Sequence, residues 1–438
     1  VYNAIAVEEM GKPAVAVTNQ TYLVEGGSAA SGKGMPVVRL VWDSIHSEEW
    51  VDEHDSPERI EAGIEPLLDD IIAALTKPLT AEEKSPKKKE AEKTSRIIFL
   101  GDLEEVNRFF YRRGWADGLP VIPPTEEAVA EMLTGTDLPA DHIVAKLGPR
   151  SGKATVEKIA VNAVMAGALP THLPVLIAGV QALAERATRF DNYQDSQGSW
   201  VPFWIINGPM RNDIRVNCGV GALSPGDIAN AAIGRAMGLI IKNIGGIRKG
   251  IEDAGSFGNP GKYTMVLGEH EEESPWEPFH VERGFKKEDS TLTVMFPNVF
   301  SWTIPWGTGA EGILDPIANK ARGFGLFILV VPPGTAKILS QEGFTKNKVK
   351  EYIAEHTASF SRFRQQNSED SHEPPRMPPR PNTEHTMVLV AGGPGGVYIA
   401  SGAWIQWQEY VTKKLELPKA WDKVVAKYKD LAPVYAKY

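Results

Sequence analysis

The chain has 438 residues, 42% of them apolar, enough to bury the cores of two or three domains. A net charge of −9 at pH 7 argues against a nucleic-acid partner, because phosphate binding needs a basic face. No apolar run reaches membrane-spanning length, the longest, Phe324–Pro332, being strand-sized, and Cys218 as the only cysteine excludes an internal disulfide.

The first residues, Val1–Met10, read as an amphipathic helix that runs into a strand at Ala14–Thr18. Pro36–Trp42 (PVVRLVW) is a second strand. Ser56–Leu75 is a helix, opened by Ser-Pro-Glu and carrying Ile60, Ile64, Leu67, Leu68, Ile71, Ile72 and Leu75 on one stripe. This alternation predicts a parallel, doubly wound sheet. A helix with neither a cap nor a preceding strand is an odd way to begin a fold. We therefore expect an upstream segment, or a separate chain, to supply a first strand. No signal peptide is read, and the lone cysteine fits a reducing, cytoplasmic compartment.

Residues 76–97 are charged and aperiodic, including Lys87–Lys89, and read as a solvated tether. The organisation expected is an incomplete α/β domain over 1–79, a linker over 80–97 and a larger α/β or α+β domain over 98–438. In that larger unit Leu103–Arg113 is helical and Asp117–Thr125 is a turn-rich entry. Helices follow at Ala154–Ala168 and Leu173–Arg186, then a strand at Pro202–Asn207. Ile228–Ile244 is a helix rich in small residues, as a buried helix would be. Lys262–Gly268, Thr291–Phe296 and Phe324–Val331 read as strands. Pro333–Glu342 and Lys346–Ser359 read as helices, and 366–384 as a proline-rich loop or lid. The strand Thr386–Ala391 ends in Gly-Gly-Pro-Gly-Gly, either a turn or a ligand loop. The sequence carries no convincing internal repeat.

Several motifs invite chemistry. Gly27–Gly34 (GSAASGKG) imitates a phosphate loop, but Gly34 stands where the Mg²⁺-binding hydroxyl belongs, so a flexible loop is the better reading. Arg150 and Lys153 in GPRSGKAT precede a helix whose N-terminus would suit an anion. Cys218 follows Arg211 and Arg215, which would favour its thiolate. The bland alternative is a small packing residue. The densest signal is 269–285, which sets Glu269, Glu271, Glu272, Glu273, Glu277 and Glu282 around His270 and His280, with Trp276 between two prolines. Rigid backbone, an aromatic anchor and carboxylates together suit a small-molecule site. Glu269, Glu272, His280, Arg283 and Cys218 are the candidate catalytic residues. His280 and Glu282, two apart, would point the same way on an extended segment. Such groups suit a hard divalent ion or acid–base work, but no HxH or HExxH pattern names a metal, and no cofactor is indicated. Asn207, Asn217, Lys262, Tyr263, Trp276, Arg150 and Lys153 are candidate substrate-binding residues. Trp302 and Trp306 suit core packing or an aromatic wall.

Val1–Pro13, the strand Ala14–Thr18, Val37–Ile45 and the helix Ser56–Leu75 resemble the UGSC-motif (seleno)protein family. The segments NGP, GKYT and ESPWEPFHVERGF look like a poorly characterised domain associated with it. The resemblance implies a Cys/Sec-Gly-Ser-Cys centre just upstream of Val1, which no residue here replaces; Cys218 does not match it. It therefore implies a thiol- or selenol-dependent redox or nucleophilic enzyme acting on a small molecule. The centre would be supplied upstream or by a partner chain. The alternatives are a metal-assisted or cofactor-independent lyase or hydrolase using Glu269–Arg283, and a non-catalytic assembly subunit. An incomplete sheet edge needs cover, so a homo-oligomer is expected.

Overall fold

The computed structural model describes residues 1–32, 38–43, 57–84, 96–194, 196–321, 324–357, 383–403 and 409–431. It opens with a parallel pair, β1 (Val15–Thr18) and β2 (Arg39–Trp42). Helices Tyr2–Glu9, Gln20–Gly32 and Pro57–Thr76 accompany it, and Ala4, Ile5, Ala16, Ala30 and Val38 form its small core. The stretch from Gly27 is not a loop. Residues 27–32 continue a helix, and Ser28 Oγ donates to Glu252 Oε1 at 2.6 Å. Arg248 Nη2 in turn donates to Ser28 Oγ at 3.0 Å. The glycine-rich stretch therefore docks the N-terminal elements on Arg248–Glu252. Lys33, Gly34, Lys87–Lys89 and the expected lid up to residue 382 lie outside the described residues.

The hairpin of β3 (Ile143–Leu147) and β4 (Gly152–Thr155) occupies the place where a helix was expected from Ala154. The helix begins at Val156, because Thr155 accepts from the Lys158 amide and caps it. Eight strands then build two sheets: β5 (Phe203–Asn207), β6 (Val266–Gly268), β7 (Thr291–Met295), β8 (Val299–Thr303), β9 (Phe324–Val331), β10 (Thr386–Val390), β11 (Val397–Ala403) and β12 (Val411–Lys414). One sheet has the order β12-β7-β5-β6, the other β10-β9-β11-β8. The expected strand Lys262–Gly268 is shorter than read: Pro260–Lys262 is a 3₁₀ turn, and pairing begins at Val266.

The central strands β5 and β9 are apolar on both faces, so each sheet needs two covering layers. In β5, Phe203 and Ile205 point to one side and Trp204 and Ile206 to the other, as the pleat requires. Phe203 and Ile205 join Ile328, Val330, Met387 and Leu389 from β9 and β10 in one apolar layer between the sheets. Trp204 and Ile206 pack with residues of helices Val156–Ala166, Leu173–Ala184 and Ile228–Asn243. Phe327, Leu329 and Val331 pack with helices Gly309–Lys320, Pro333–Gln341 and Lys346–His356. The result is a four-layer helix–sheet–sheet–helix stack, within the α/β class.

The two sheets share one topology. In the first, β5 runs parallel to β6 and antiparallel to β7, which runs antiparallel to β12. In the second, β9 runs parallel to β10 and antiparallel to β11, which runs antiparallel to β8. Each half thus lays down three strands of its own sheet and sends the fourth, β8 or β12, to the edge of the other. The sequence has no repeat, yet the topology is duplicated.

His172 lies wholly inside the first core layer. Its Nδ1 accepts from the Leu169 amide at 3.2 Å, and burial depresses its pKa to about 3. The unfolded chain takes up that proton near pH 6.5, so the native state gains from a neutral His172 above that pH and loses the gain as pH falls toward 3. We expect the melting temperature to fall over that window. His172→Asn keeps an acceptor but cannot titrate, and should flatten this part of a Tm-against-pH curve.

Candidate active site

The parallel strands β5 and β6 end side by side, the place where α/β sheets gather ligands. β5 ends in Asn207, followed by Gly208 at φ +87°, where a Cβ would come within 2.2 Å of the Asp289 carbonyl oxygen. Only glycine fits, and its amide donates to Glu271 Oε1 at 2.6 Å. Asn207 Nδ2 reaches Glu269 Oε2 at 2.6 Å and Glu271 Oε1 at 3.1 Å. Facing two carboxylates fixes the amide orientation, with Nδ2 toward them. The Oδ1 atom is buried without a partner among the described residues.

Glu269 is fully buried and well satisfied. Besides Asn207 it accepts from the Phe279 amide at 2.7 Å and lies 3.2 Å from Lys346 Nζ. Lys346 also meets Glu282 Oε1 at 2.8 Å, and Lys350 meets Glu282 at 3.4 Å. Burial alone would lower the Lys346 pKa; Glu269 and Glu282 outweigh it and hold the ammonium above its ordinary range. Arg211, almost fully buried, lies 3.3 Å from Glu271 Oε1 and donates to Glu272 Oε1 at 2.7 Å. Glu272 would be raised by burial, but Arg211 and Asn212 bring it down to about 2.

His280 differs from its neighbours. It is 0% exposed, and neither ring nitrogen has a hydrogen-bond partner among the described residues. Its Nδ1 stands 3.9 Å from Glu271 Oε1. The expected shared direction of His280 and Glu282 does not hold. Phe279–Glu282 is a helical turn begun after Pro278, so His280 faces Glu271 while Glu282 faces Lys346.

Cys218 sits against the end of β6: a Cβ on Gly268 would lie 3.3 Å from its own Cβ. The expected thiolate is corrected. Burial pushes the thiol pKa up and outweighs the opposing pull of Arg211, whose charge is already shared with Glu271 and Glu272. The Cys218 carbonyl accepts from the Gly392 amide at 2.8 Å, and the His270 amide donates to the Val390 carbonyl at 2.7 Å. The Gly-Gly-Pro-Gly-Gly turn of the second half therefore closes over the strand ends of the first.

A cavity of about 940 Å³ adjoins this cluster. Trp276, Phe279, Arg283, Lys346 and Tyr410 are among its lining residues, and the Arg283 guanidinium lies 4.6 Å from the centre of the Tyr410 ring. Lys346 links the cavity to Glu269. His280, Glu271 and Cys218 do not line it. Other candidates lie elsewhere. Asn217 is consumed by its own loop, bonding Asp227, the Val220 carbonyl and the Gly219 amide, while Asn230 pins that loop to β6. Arg150 packs on Gly246, and Lys153 is in β4 and exposed; the short strand between Arg150 and the helix removes both from its N-terminus. Lys262 and Tyr263 line a separate cavity. Trp302 and Trp306 are not core residues, being 57% and 65% exposed.

Lys346 was missed. A cation in the first turn of a helix opposes the helix dipole, and that anomaly in Thr345-Lys346-Asn347-Lys348 was the available signal. Among the described residues no three His, Cys, Asp or Glu side chains are grouped to hold a metal ion. No protein-family model, curated protein or solved structure matches this chain.

Two outcomes follow from the geometry. Lys346→Met leaves Glu269 buried without its cation, and should cost about 3–5 kcal/mol in urea unfolding; adding Glu269→Gln should restore part of that loss. Cys218 should react with iodoacetamide more slowly at pH 7 than a free thiol does, with the rate rising only on the alkaline side of an ordinary cysteine titration.

Proposed function

We propose that this chain is an enzyme that moves a proton on a small polar molecule, in the lyase or hydrolase class. His280 is the acid–base group and Glu271 its orienting carboxylate. One observation carries the reading: a fully buried imidazole with both nitrogens unpartnered among the described residues, beside a carboxylate held by two hydrogen-bond donors and ion-paired with Arg211. Buried polar groups are almost always satisfied, so an unpaired histidine asks for a polar ligand. A gap of 3.9 Å to Glu271 suits an empty site, where catalytic hydrogen bonds are often long and shorten on binding. Asn207 Oδ1, also unpartnered among the described residues, supplies an acceptor for substrate, and Arg211 and Lys346 hold the surrounding carboxylates in fixed ion pairs.

A second reading keeps the thiol or selenol centre implied by the UGSC resemblance. Val1 Cγ2 lies 3.0 Å from the Cβ position of Gly26, in the same helix whose Ser28 bonds Glu252. A Cys/Sec segment leading into Val1, in the same chain or a partner, would then adjoin the helix Gln20–Gly32 at Gly26. A homo-oligomer and a cytoplasmic location remain part of this proposal.

The test is to incubate the protein with a metabolite mixture in D₂O and follow mass changes. We expect a compound that is deuterated or consumed by the wild type and by Cys218→Ser. His280→Gln and Glu271→Gln should slow the change by roughly 10²–10⁴-fold, and EDTA should leave it unchanged. Activity retained in His280→Gln would remove the acid–base role. Activity lost on alkylation of the Cys218→Ser protein, in a form carrying the upstream segment, would favour the thiol reading instead.

A further inference from the structure

The cavity around Lys262 and Tyr263 is separate from the strand-end cluster and has a different electrostatic character. It encloses about 330 Å³, within the size range of small-molecule sites. One wall is a single face of helix Ile228–Asn243, where Arg235, Gly238, Ile241 and Lys242 follow at helical spacing. Gly238 matters because a Cβ there would meet the Lys262 carbonyl oxygen at 3.0 Å, so the chain carrying Lys262 and Tyr263 can lie close to the helix.

The charges can be accounted for pair by pair. Arg235 is neutralised by Asp117, with two contacts of 2.9 and 3.0 Å. Lys262 is neutralised by Asp253 at 2.8 Å. Lys242 and Lys249 also line the cavity, and neither has a carboxylate partner among the described residues. Among the described residues, its lining therefore holds two cations in excess, on a chain whose net charge is −9. A second observation is independent of charge. Gln194 lines the same cavity, is 4% exposed, and its side-chain amide makes no hydrogen bond among the described residues. Gln194 therefore offers the cavity a donor and an acceptor that are not spent on other described residues. Ile241 and Ile247 supply apolar wall, and the half-exposed Tyr263 stands at the rim.

We propose that this cavity binds a small organic anion: a carboxylate or phosphate group held by Lys242 and Lys249, on an apolar body packed against Ile241 and Ile247 and hydrogen-bonded by Gln194. Carboxylate and phosphate share the chemistry that the lysines recognise, and probes can separate them. The helix Gln20–Gly32 docks on Glu252, next to Asp253 of the cavity, so the N-terminal elements stand near its rim.

The experiment is calorimetric titration of the full chain with benzoate, phenyl phosphate and the neutral isostere benzamide. We expect binding of at least one anion, weakened at least ten-fold for benzamide and for Lys242→Gln. Gln194→Leu should weaken the anion without removing its salt dependence, while Lys242→Gln should reduce that dependence. Stronger binding of benzoate than of phenyl phosphate would assign a carboxylate ligand, and the reverse a phosphate. His280→Gln should leave the titration unchanged, which keeps the result distinct from chemistry at the strand ends. The proposal fails if neither anion binds at millimolar concentration. It also fails if binding is the same in wild type and in the folded Lys242→Gln/Lys249→Gln double variant.

Discussion

The apolar layer between the two sheets is the constraint from which the rest follows. Phe203, Ile205, Ile328, Val330, Met387 and Leu389 meet there, and none of them leaves room for a polar group. Helices cover both outer faces with equally apolar side chains. A stack sealed in this way offers polar chemistry only at the ends of its strands. The carboxyl ends of β6 and β10 touch through the His270 amide and the Val390 carbonyl, so two halves of unlike sequence furnish a single polar patch.

Within that patch, the charges have already been divided. Glu269 is held by an amide, a backbone N–H and an ammonium; Arg211 is engaged by two carboxylates; Glu282 is shared by two lysines. Groups so fully engaged supply a fixed field and little mobility, which is the arrangement that stabilises developing charge without reorganisation. Among the described residues, both His280 nitrogens, the Asn207 oxygen, Arg211 Nε and His270 Nδ1 are the atoms left without a hydrogen bond. The division between satisfied and unsatisfied atoms, more than the count of acidic residues, separates scaffold from candidate chemistry here.

Much of the scaffold was legible. Strands apolar on both faces, such as β5 and β9, announce burial by composition alone, and the capped helices announce their starts. Strands β8, β11 and β12 were not read as such, because VFSWT, VYIASGA and VTKK mix polar and small residues at sheet positions where one side faces solvent or a neighbouring loop. The duplication was invisible because it resides in strand order and not in residue identity. At the site, the acidic segment and Asn207 were legible, but the roles were not. Pro278 turned an expected strand into a helical turn and parted His280 from Glu282. A sequence shows that arginines lie near Cys218; it does not show that Glu271 and Glu272 have claimed the nearer one.

The exchange of β8 and β12 has a consequence for how the molecule holds together. Neither half owns a complete sheet, so neither has a native state of its own to fall back on. Loss of the chain beyond β11 would strip an edge from the sheet built by the first half, leaving β7 with unpaired backbone groups open to foreign strands. Melting therefore couples the two halves into one transition, in the manner of clasped hands that must release together. Cleavage between β8 and β9 would yield two fragments, each templating the other's reassembly.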